Sequence, residues 1–342
     1  MLAGYSQKLA KFSKIFEDIL TWQKWIGVHS AAVMSEQPNE LVEKPKTVSM
    51  RQDLMVLTKV RLNVFVLITT LFGFILASKT LAGGFKAGMI DWWLLFHTIL
   101  GTAAAAFGSA VFNQLMEIES DRKMARTQNR PLPSERMTPT FAFAIGWLLS
   151  AFGVIHLGNM VNAEAAYIAA ATIAIYVFVY TPMKREHSAN TLVGAIPGAT
   201  PPMIGWAAAG GTWYSSESWY LFALLFLWQL PHFVAINWFC REQYEEAGYV
   251  MWSNGDISGK KTAKLAFIYS AMLALLAPLA SLPGIDLAGW VYGIGGLIAG
   301  AYMCKLSADF GRIGDRASSR KLFFFTLLYL PFILILLTFS WN

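Results

Sequence analysis

Three polar residues at helical spacing stand out in a largely apolar chain. Asn113, Glu117 and Asp121 recur at intervals of four in the stretch NQLMEIESD, and residues four apart share one face of an α-helix. Amide and carboxylate oxygens on one face suit Mg²⁺, a hard cation that is often shared between a few carboxylates and substrate phosphates. The spacing therefore predicts a metal site on this face, although a solvated helix end would carry similar residues.

Arginines follow this stripe directly. Arg122, Arg126 and Arg130 come within nine residues of Asp121, and guanidinium groups bind phosphate oxygens through paired hydrogen bonds. A metal beside clustered arginines, at the end of a hydrophobic run, predicts a site for a diphosphate that carries a lipid tail.

Two later stretches carry polar residues of the same kinds. Each ends or interrupts an apolar run, so both are expected at the same membrane surface as the stripe. His232 alone lies deeper, and a buried histidine bonded to a carbonyl is an equal alternative to a substrate-binding one. The first stretch, YTPMKREHSAN, holds Tyr180, Lys184, Arg185 and Asn190, and the second, LWQLPHFVAINWFCREQYEE, holds His232, Arg241, Glu242, Tyr244 and Glu246.

The rest of the chain has the composition of a membrane protein. Of its 342 residues, 56% are hydrophobic and 14% are charged, with a mean hydropathy of +0.46, whereas about a quarter of the residues in a soluble domain are charged. The apolar runs predict an all-α polytopic membrane protein, with the lipid bilayer as a partner and no nucleic acid. We place nine spans near residues 60–78, 92–112, 140–160, 165–183, 190–210, 219–239, 264–283, 288–305 and 322–340.

The basic residues predict the orientation of these spans. Of 27 Lys and Arg residues, 25 precede the first span or follow an even-numbered span, and only Lys79 and Lys86 follow the first. Basic loops stay on the cytoplasmic or matrix side, so the N-terminus and the candidate site are expected there and the C-terminus outside.

Residues 1–54 are expected to form an extension to a membrane domain at residues 55–342. Within the extension, KLAKFSKIFEDILTWQKW has the pattern of a helix that lies in the membrane interface. Because it resembles neither a secretory signal nor a mitochondrial transit peptide, we expect the inner (cell) membrane of a bacterium, with the mitochondrial inner membrane as the alternative.

Three motifs in this order resemble those of a known family. They are NxxxExxxDxxMxRTxxRPL, YTPMKR…N…GAxPPxxGW and WQxPHFxxxxxxxRExY, and they lie within roughly residues 55–340. The set resembles the UbiA superfamily of intramembrane prenyltransferases and, more narrowly, its protohaem IX farnesyltransferases. The first motif alone is weak, whereas the RTxxRPL tail and the PHF box make the set specific.

The resemblance implies a fold, a reaction and residue roles. It implies a nine-helix bundle around a central cavity, farnesyl diphosphate and haem b as substrates, and a divalent metal, usually Mg²⁺, as cofactor. The farnesyl C1–O bond would ionise and a haem vinyl group would attack the cation, giving haem O for haem-copper oxidases; haem A synthase and terminal-oxidase assembly factors are candidate partners. By motif position, the catalytic residues are Asn113, Glu117, Asp121, Lys184 and Tyr244, and the substrate-binding residues are Arg122, Arg126, Arg130, Tyr180, Arg185, Asn190, His232 and Arg241.

One departure from the family pattern affects the metal ligands. The family usually has Asp where this chain has Gln243, so Glu242 and Glu246, which are four residues apart, are predicted to complete the metal site with Asn113, Glu117 and Asp121. Two other functions stay open at this point. One is a related prenyltransferase acting on a quinone-precursor or chlorin ring, and the other, more remote, is an ion-coupled transporter, in which charged residues would lie nearer the membrane midplane.

Overall fold

The computed structural model describes residues 48–342, and Ser49–Asn342 form one compact unit. The interfacial helix predicted in KLAKFSKIFEDILTWQKW lies outside the described residues. The described part is helical, with one isolated β-bridge between Ala288 and Trp341. The helices are α1 Met50–Leu57, α2 Val60–Ala82, α3 Trp92–Met116, α4 Ile118–Lys123, α5 Pro139–Met160, α6 Ala163–Met183, α7 Asn190–Ala199, α8 Pro201–Ala208, α9 Ser216–Phe239, α10 Arg241–Glu246, α11 Lys260–Leu279, α12 Trp290–Ile313 and α13 Arg316–Ser340.

The predicted all-α membrane fold is confirmed for the described residues. Eight helices there are long and apolar enough to cross a membrane, namely α2, α3, α5, α6, α9, α11, α12 and α13. They match eight of the nine predicted spans. The count of nine is approximate, because the remaining span is not one continuous helix.

The fifth predicted span forms two short helices that meet at Thr200. Pro201 and Pro202 have no N–H group to donate to the carbonyls four residues earlier, so the helical hydrogen bonding lapses between α7 and α8. The two helices together cover 190–208, which at 1.5 Å per residue is roughly the thickness of the hydrocarbon core.

Small residues let neighbouring helices approach closely. At Gly73 of α2 an added Cβ would overlap the backbone of Pro202, and at Gly205 of α8 it would overlap the backbone of Thr70. Membrane helices associate largely through such close packing, since lipid offers no hydrophobic advantage to burying apolar side chains. The α2–α8 contact therefore fixes the broken span against the first one.

Two clusters of buried apolar residues hold the bundle together. One packs α9, α11, α12 and α13 through residues such as Leu224, Tyr292 and Ile333, and the other packs α2, α3, α5, α6 and α8. At the far end of α2, Lys79 donates hydrogen bonds to the carbonyls of Thr338 and Trp341 at the end of α13. Hence α2 and α13 end on the same side, opposite the side where α2 begins, which we call the site end.

Candidate active site

A cavity of about 450 Å³ lies among α2, α3, α6, α7, α8 and α9. Its charged residues come from helix ends and loops at the site end, and its apolar residues come from further along the helices. Four basic side chains line it (Lys59, Arg126, Arg130 and Lys184), against two acidic ones (Glu117 and Asp121). The excess of positive charge suits an anion at the site end of an otherwise apolar cavity.

Asn113, Glu117 and Asp121 stay on one side although the helix that carries them breaks at Glu117. Helix α3 ends at Met116, and α4 begins at Ile118, so Glu117 lies at the junction with φ −103° and ψ 6°. The Glu117 N–H donates to the carbonyl of Asn113 at 3.2 Å, and the Asp121 N–H donates to that of Glu117 at 2.8 Å. These helix-like bonds keep the three residues nearly aligned across the junction.

Both carboxylates of the stripe are buried and paired with bases. Glu117 and Asp121 are 5% and 1% exposed. Lys184 Nζ lies 2.6 Å from Glu117 Oε1, and Arg130 Nη1 lies 2.6 Å from Asp121 Oδ2. Asn113 is buried behind them, where its Oδ1 accepts from Lys59 and its Nδ2 donates to Thr181 Oγ1 at 3.0 Å. The site therefore brings two buried acids and three bases together around one amide.

The ion pairs keep Glu117 and Lys184 charged at neutral pH. Burial opposes the charge on Glu117, but the positive charges of Lys184 and Lys59 outweigh it and lower the pKa of the carboxyl. Burial also opposes the charge on Lys184, yet Glu117 raises the pKa of that amine well above its usual value. For Lys59, burial together with the charge of Arg130 lowers the pKa to about 7.

A π-helical stretch in α6 supplies two tyrosines to the cavity. Ile175–Tyr180 is π-helical, and Pro182 follows it, lacking the N–H group that would bond the carbonyl four residues earlier. Tyr176 and Tyr180 stack with ring centroids 5.4 Å apart. The Lys184 Nζ lies 4.5 Å from the Tyr180 ring centroid, so the ring helps to position this amine.

The segment after α9 closes the site end. Arg126 donates a 2.8 Å hydrogen bond to the hydroxyl of Tyr244, which belongs to α10. The Val250 N–H donates to the Lys184 carbonyl at 2.8 Å, and Asn190 Nδ2 donates to the Val250 carbonyl at 2.7 Å. The loops that follow α6 and α10 are thereby pinned together beside the charged residues.

Comparison with known proteins identifies the family of this arrangement. The model of the UbiA prenyltransferase family matches residues 66–329. The chain belongs to the UbiA prenyltransferase family. A relative from Solibacter usitatus, named protoheme IX farnesyltransferase, is 40% identical over 283 residues, which cover 82% of this chain and 96% of the relative. The resemblance seen in the motifs is therefore confirmed.

Solved structures of UbiA proteins share the fold. A digeranylgeranylglyceryl phosphate synthase superposes with a TM-score of 0.69 at 17% identity, over 85% of this chain and 98% of its own. A UbiA homolog from Archaeoglobus fulgidus, solved with GPP and Mg²⁺ bound, superposes with a TM-score of 0.54 at 13% identity, over 83% of this chain and 99% of its own. At these identities the likeness concerns the fold alone.

The structure brings most predicted site residues of this UbiA protein to the cavity and leaves others away from it. Arg122 bonds Glu119, Glu135 and the Pro133 carbonyl instead, and Arg185 bonds Ser120 and the Met116 carbonyl. Arg241 bonds Glu242 and the Trp238 carbonyl and does not line the cavity either. Asn113 lies just behind the lining. The predicted residues that line the cavity are Glu117, Asp121, Arg126, Arg130, Tyr180, Lys184, Asn190, His232 and Tyr244.

The two acids predicted after α9 as further metal ligands lie outside the lining of the cavity. Glu242 and Glu246 are exposed and do not line it. Glu242 pairs with Arg316 at 2.5 Å and with Arg241 at 3.2 Å. Their role as metal ligands stays a prediction that this arrangement does not favour.

Several polar residues line the cavity without having been predicted from the sequence. In the sequence, Lys59 is only one of the basic residues that indicate the orientation of the chain. In the structure its left-handed backbone (φ 49°) links α1 to α2, and its amine donates a hydrogen bond to Asn113. Tyr176 lies one helical turn before Tyr180, and that spacing was a usable signal. The others lie in apolar runs or loops without a distinctive pattern, and they include Asn63, Thr102, Thr172, Thr191, Gln229 and Tyr249.

The donor set fits one divalent metal shared with a ligand. Within residues 48–342, no three His, Cys, Asp or Glu side chains are placed to enclose a metal by themselves. Glu117 and Asp121 offer two buried carboxylates on one cavity, and Mg²⁺ is commonly held by one or two carboxylates together with substrate phosphates and water. A metal here would depend on a phosphate ligand for the rest of its coordination.

Proposed function

We propose that this chain transfers the farnesyl group of farnesyl diphosphate to a vinyl group of haem b, giving haem O. The observation that carries the reaction class is the presence of two buried carboxylates and four bases at one end of an otherwise largely apolar cavity. The acceptor and the prenyl chain length rest on the relative named protoheme IX farnesyltransferase, of which this chain covers 96%.

The charged end of the cavity would bind the diphosphate. Lys184 and Arg130 are each held by one carboxylate, and both line the cavity within reach of a bound anion. When a diphosphate with its metal enters, the carboxylates can turn to the metal and the bases to the phosphate oxygens. Arg126, which Tyr244 positions, and Lys59 add two further donors.

Glu117 and Asp121 would hold a divalent metal, Mg²⁺ in the proposal. The Archaeoglobus fulgidus homolog supports this, since it binds Mg²⁺ together with GPP. When bound, the metal neutralises charge that builds up on the departing diphosphate. Asn113 would act from behind by fixing Lys59.

The apolar part of the cavity would hold the farnesyl chain and exclude water. Successive turns of α2 and α9 face it, and aliphatic residues from α3, α6 and α8 complete the wall. Aliphatic side chains around the prenyl chain would keep bulk water from an allylic cation and so limit early hydrolysis, and the rings of Tyr176, Tyr180 and Phe233 offer π faces to the positive charge. The aliphatic residues include Leu62, Val66, Ala105, Ile173, Ile204 and Ile236.

The bases of the site would drive the ionisation. Lys184, Arg130, Arg126 and Lys59 stabilise the diphosphate more strongly as it gains charge, which favours breaking the C1–O bond. The π electrons of the haem vinyl group then form the new bond to C1, and water completes the hydroxyethylfarnesyl arm. Membership of a prenyltransferase family favours this reaction over ion transport.

We also propose the orientation of the chain in the membrane. The chain is an integral membrane protein, and the loops at the site end carry most of its basic residues. By the positive-inside rule the site end faces the cytoplasm, or the matrix if the membrane is mitochondrial.

An assay with purified protein tests the proposed function. Haem b, farnesyl diphosphate and Mg²⁺ are mixed with the protein in detergent. The haems are then separated by chromatography and identified by mass spectrometry. We expect haem O to form with release of diphosphate, and product formation to stop on chelation with EDTA. Transfer of farnesyl to a quinone precursor, with haem b unchanged, would favour the alternative acceptor.

A further inference from the structure

The hydrogen bonds around His232, which lines the cavity, fix which of its ring nitrogens is the acceptor. Thr326 has one hydroxyl hydrogen, and it donates this to the Phe323 carbonyl at 2.6 Å. The 2.8 Å contact between Thr326 Oγ1 and His232 Nδ1 must then have the histidine as donor. In the neutral ring, the hydrogen therefore lies on Nδ1 and Nε2 keeps its lone pair.

Gln229 presents a second acceptor one turn earlier in α9. Its Nε2 donates to the carbonyls of Ala195 at 3.2 Å and Leu225 at 2.9 Å. Carbonyls only accept, so these two bonds orient the amide and leave Oε1 as an acceptor. An added Cβ at Gly198 would overlap this oxygen, which explains why a residue without a side chain stands opposite it.

The two acceptors share one face of α9 and one cavity. Residues three apart on a helix have Cβ atoms roughly 5–6 Å apart, and both Gln229 and His232 line the cavity. Within the described residues, no hydrogen bond uses Gln229 Oε1 or His232 Nε2. Two neighbouring acceptors without donors call for a ligand that supplies two hydrogens, and water is the smallest such ligand.

We propose that Gln229 and His232 bind the water that ends the reaction, and that His232 Nε2 takes its proton. A water that donates to both acceptors directs its own lone pairs into the cavity, which is the orientation needed to attack a cation. A haem iron would use only the histidine and would leave the Gln229 oxygen without a donor. The pair of acceptors therefore favours water over iron as the ligand.

The step balances, and it rests on the proposed function. Once C1 of the farnesyl group has bonded to the terminal vinyl carbon, the positive charge lies on the inner vinyl carbon beside the porphyrin. The water oxygen forms a C–O bond with this carbon, and one O–H bond breaks as its proton moves to His232 Nε2. If no water were held there, the cation would lose a proton from a neighbouring carbon, giving an alkene lighter by one water.

Product analysis in H₂¹⁸O tests this role separately from overall activity. Gln229→Met keeps the length of the side chain without its acceptor. His232→Asn keeps a donor to Thr326 but replaces the basic Nε2 with a shorter amide that does not take up a proton. We expect the ratio of ¹⁸O-hydroxylated product to alkene to fall by roughly tenfold or more in each variant, with diphosphate still released. The matched control is Gln114→Met, which removes a buried amide that binds backbone carbonyls away from the cavity.

Three results would overturn the proposal. The first is an unchanged product ratio in Gln229→Met, which decides the matter even if His232→Asn fails to fold. The second is loss of diphosphate release together with product, because the residues would then act before the cation forms. The third is a changed absorption spectrum of bound haem in His232→Asn with the product ratio intact, which would assign His232 to the iron. Absence of any farnesylated haem from the unaltered protein would instead refute the proposed function itself.

Discussion

Lys184 and Glu117 are the residues on which binding of the diphosphate most depends in this account. Their contact of 2.6 Å is buried, so the amine is held in the cavity before any anion arrives. The carboxylate keeps the amine protonated, since it raises the pKa of Lys184 well above the usual value. The protonated amine is thus already inside the cavity, where it would exchange the Glu117 carboxylate for a phosphate oxygen as the anion binds.

Replacing Lys184 by Met should therefore weaken binding of farnesyl diphosphate. A hydrogen bond to a charged group contributes about 1.5–3 kcal/mol, so we expect KM for farnesyl diphosphate to rise roughly tenfold to a hundredfold. Steady-state kinetics at saturating haem measures this. The control is Lys86→Met, because the Lys86 amine bonds the Ala82 carbonyl outside the cavity. An unchanged KM in Lys184→Met would remove this residue from the binding site.

The close contact between helices α3 and α5 can be tested with two glycines of α5. Gly153 of α5 lies against the backbone of α3, where an added Cβ would collide with Ala105 N and lie 2.8 Å from the Gly101 carbonyl oxygen. Gly158, five residues later in the same helix, would place a Cβ 3.6 Å from its nearest neighbour, Ala166. The pair offers a matched comparison.

Gly153→Ala should destabilise the protein, whereas Gly158→Ala should not. Overpacking a close helix contact costs about 1–3 kcal/mol, while Ala in place of an exposed helical Gly is neutral or favourable by up to about 1 kcal/mol. Thermal unfolding in detergent, followed by circular dichroism, measures both changes. Equal melting temperatures for the two variants would contradict the packing described for α3 and α5.

The membrane-spanning helices were predictable from the sequence wherever a continuous apolar run marks them. Eight spans, the stripe of Asn113, Glu117 and Asp121, and the family motifs were all readable, because period and spacing carry that information. The break at Thr200 follows from Pro201 and Pro202, which the sequence shows and from which a kinked span is predicted. The break at Glu117 depends on local backbone geometry that hydropathy does not show. Lys59, Gln229 and Tyr249 reach the cavity only through packing between distant helices, which a single sequence does not specify.

Glu242 and Glu246 show that residue spacing alone does not predict whether two acids line a site. Glu242 and Glu246 are four residues apart, and that spacing does place two residues on one helix face. It does not say which way the face points. In the structure α10 has no buried residue, and Glu242 pairs with Arg316 of α13.

The orientation of the whole molecule can be tested by labelling with a membrane-impermeant thiol reagent. After Cys240 and Cys304 are replaced by Ser, a single Cys is introduced at Ser258 or at Ser216, both of which are exposed. We expect Ser258→Cys to react only from the cytoplasmic or matrix side and Ser216→Cys only from the opposite side. Reaction of both from the same side would contradict the topology, since α9 separates the two positions.

The proposed role of Glu117 and Asp121 in holding the metal and diphosphate is tested most directly by comparing two double variants. Glu117→Gln with Asp121→Asn removes both cavity carboxylates, and Glu242→Gln with Glu246→Gln removes two acids outside it. Farnesyl transfer to haem is measured at several Mg²⁺ concentrations, with folding checked by size-exclusion chromatography. We expect the first variant to lose activity by roughly a thousandfold or more and the second to keep the activity and metal dependence of the parent. Activity retained by the first variant, or an increased Mg²⁺ requirement in the second alone, would contradict the account.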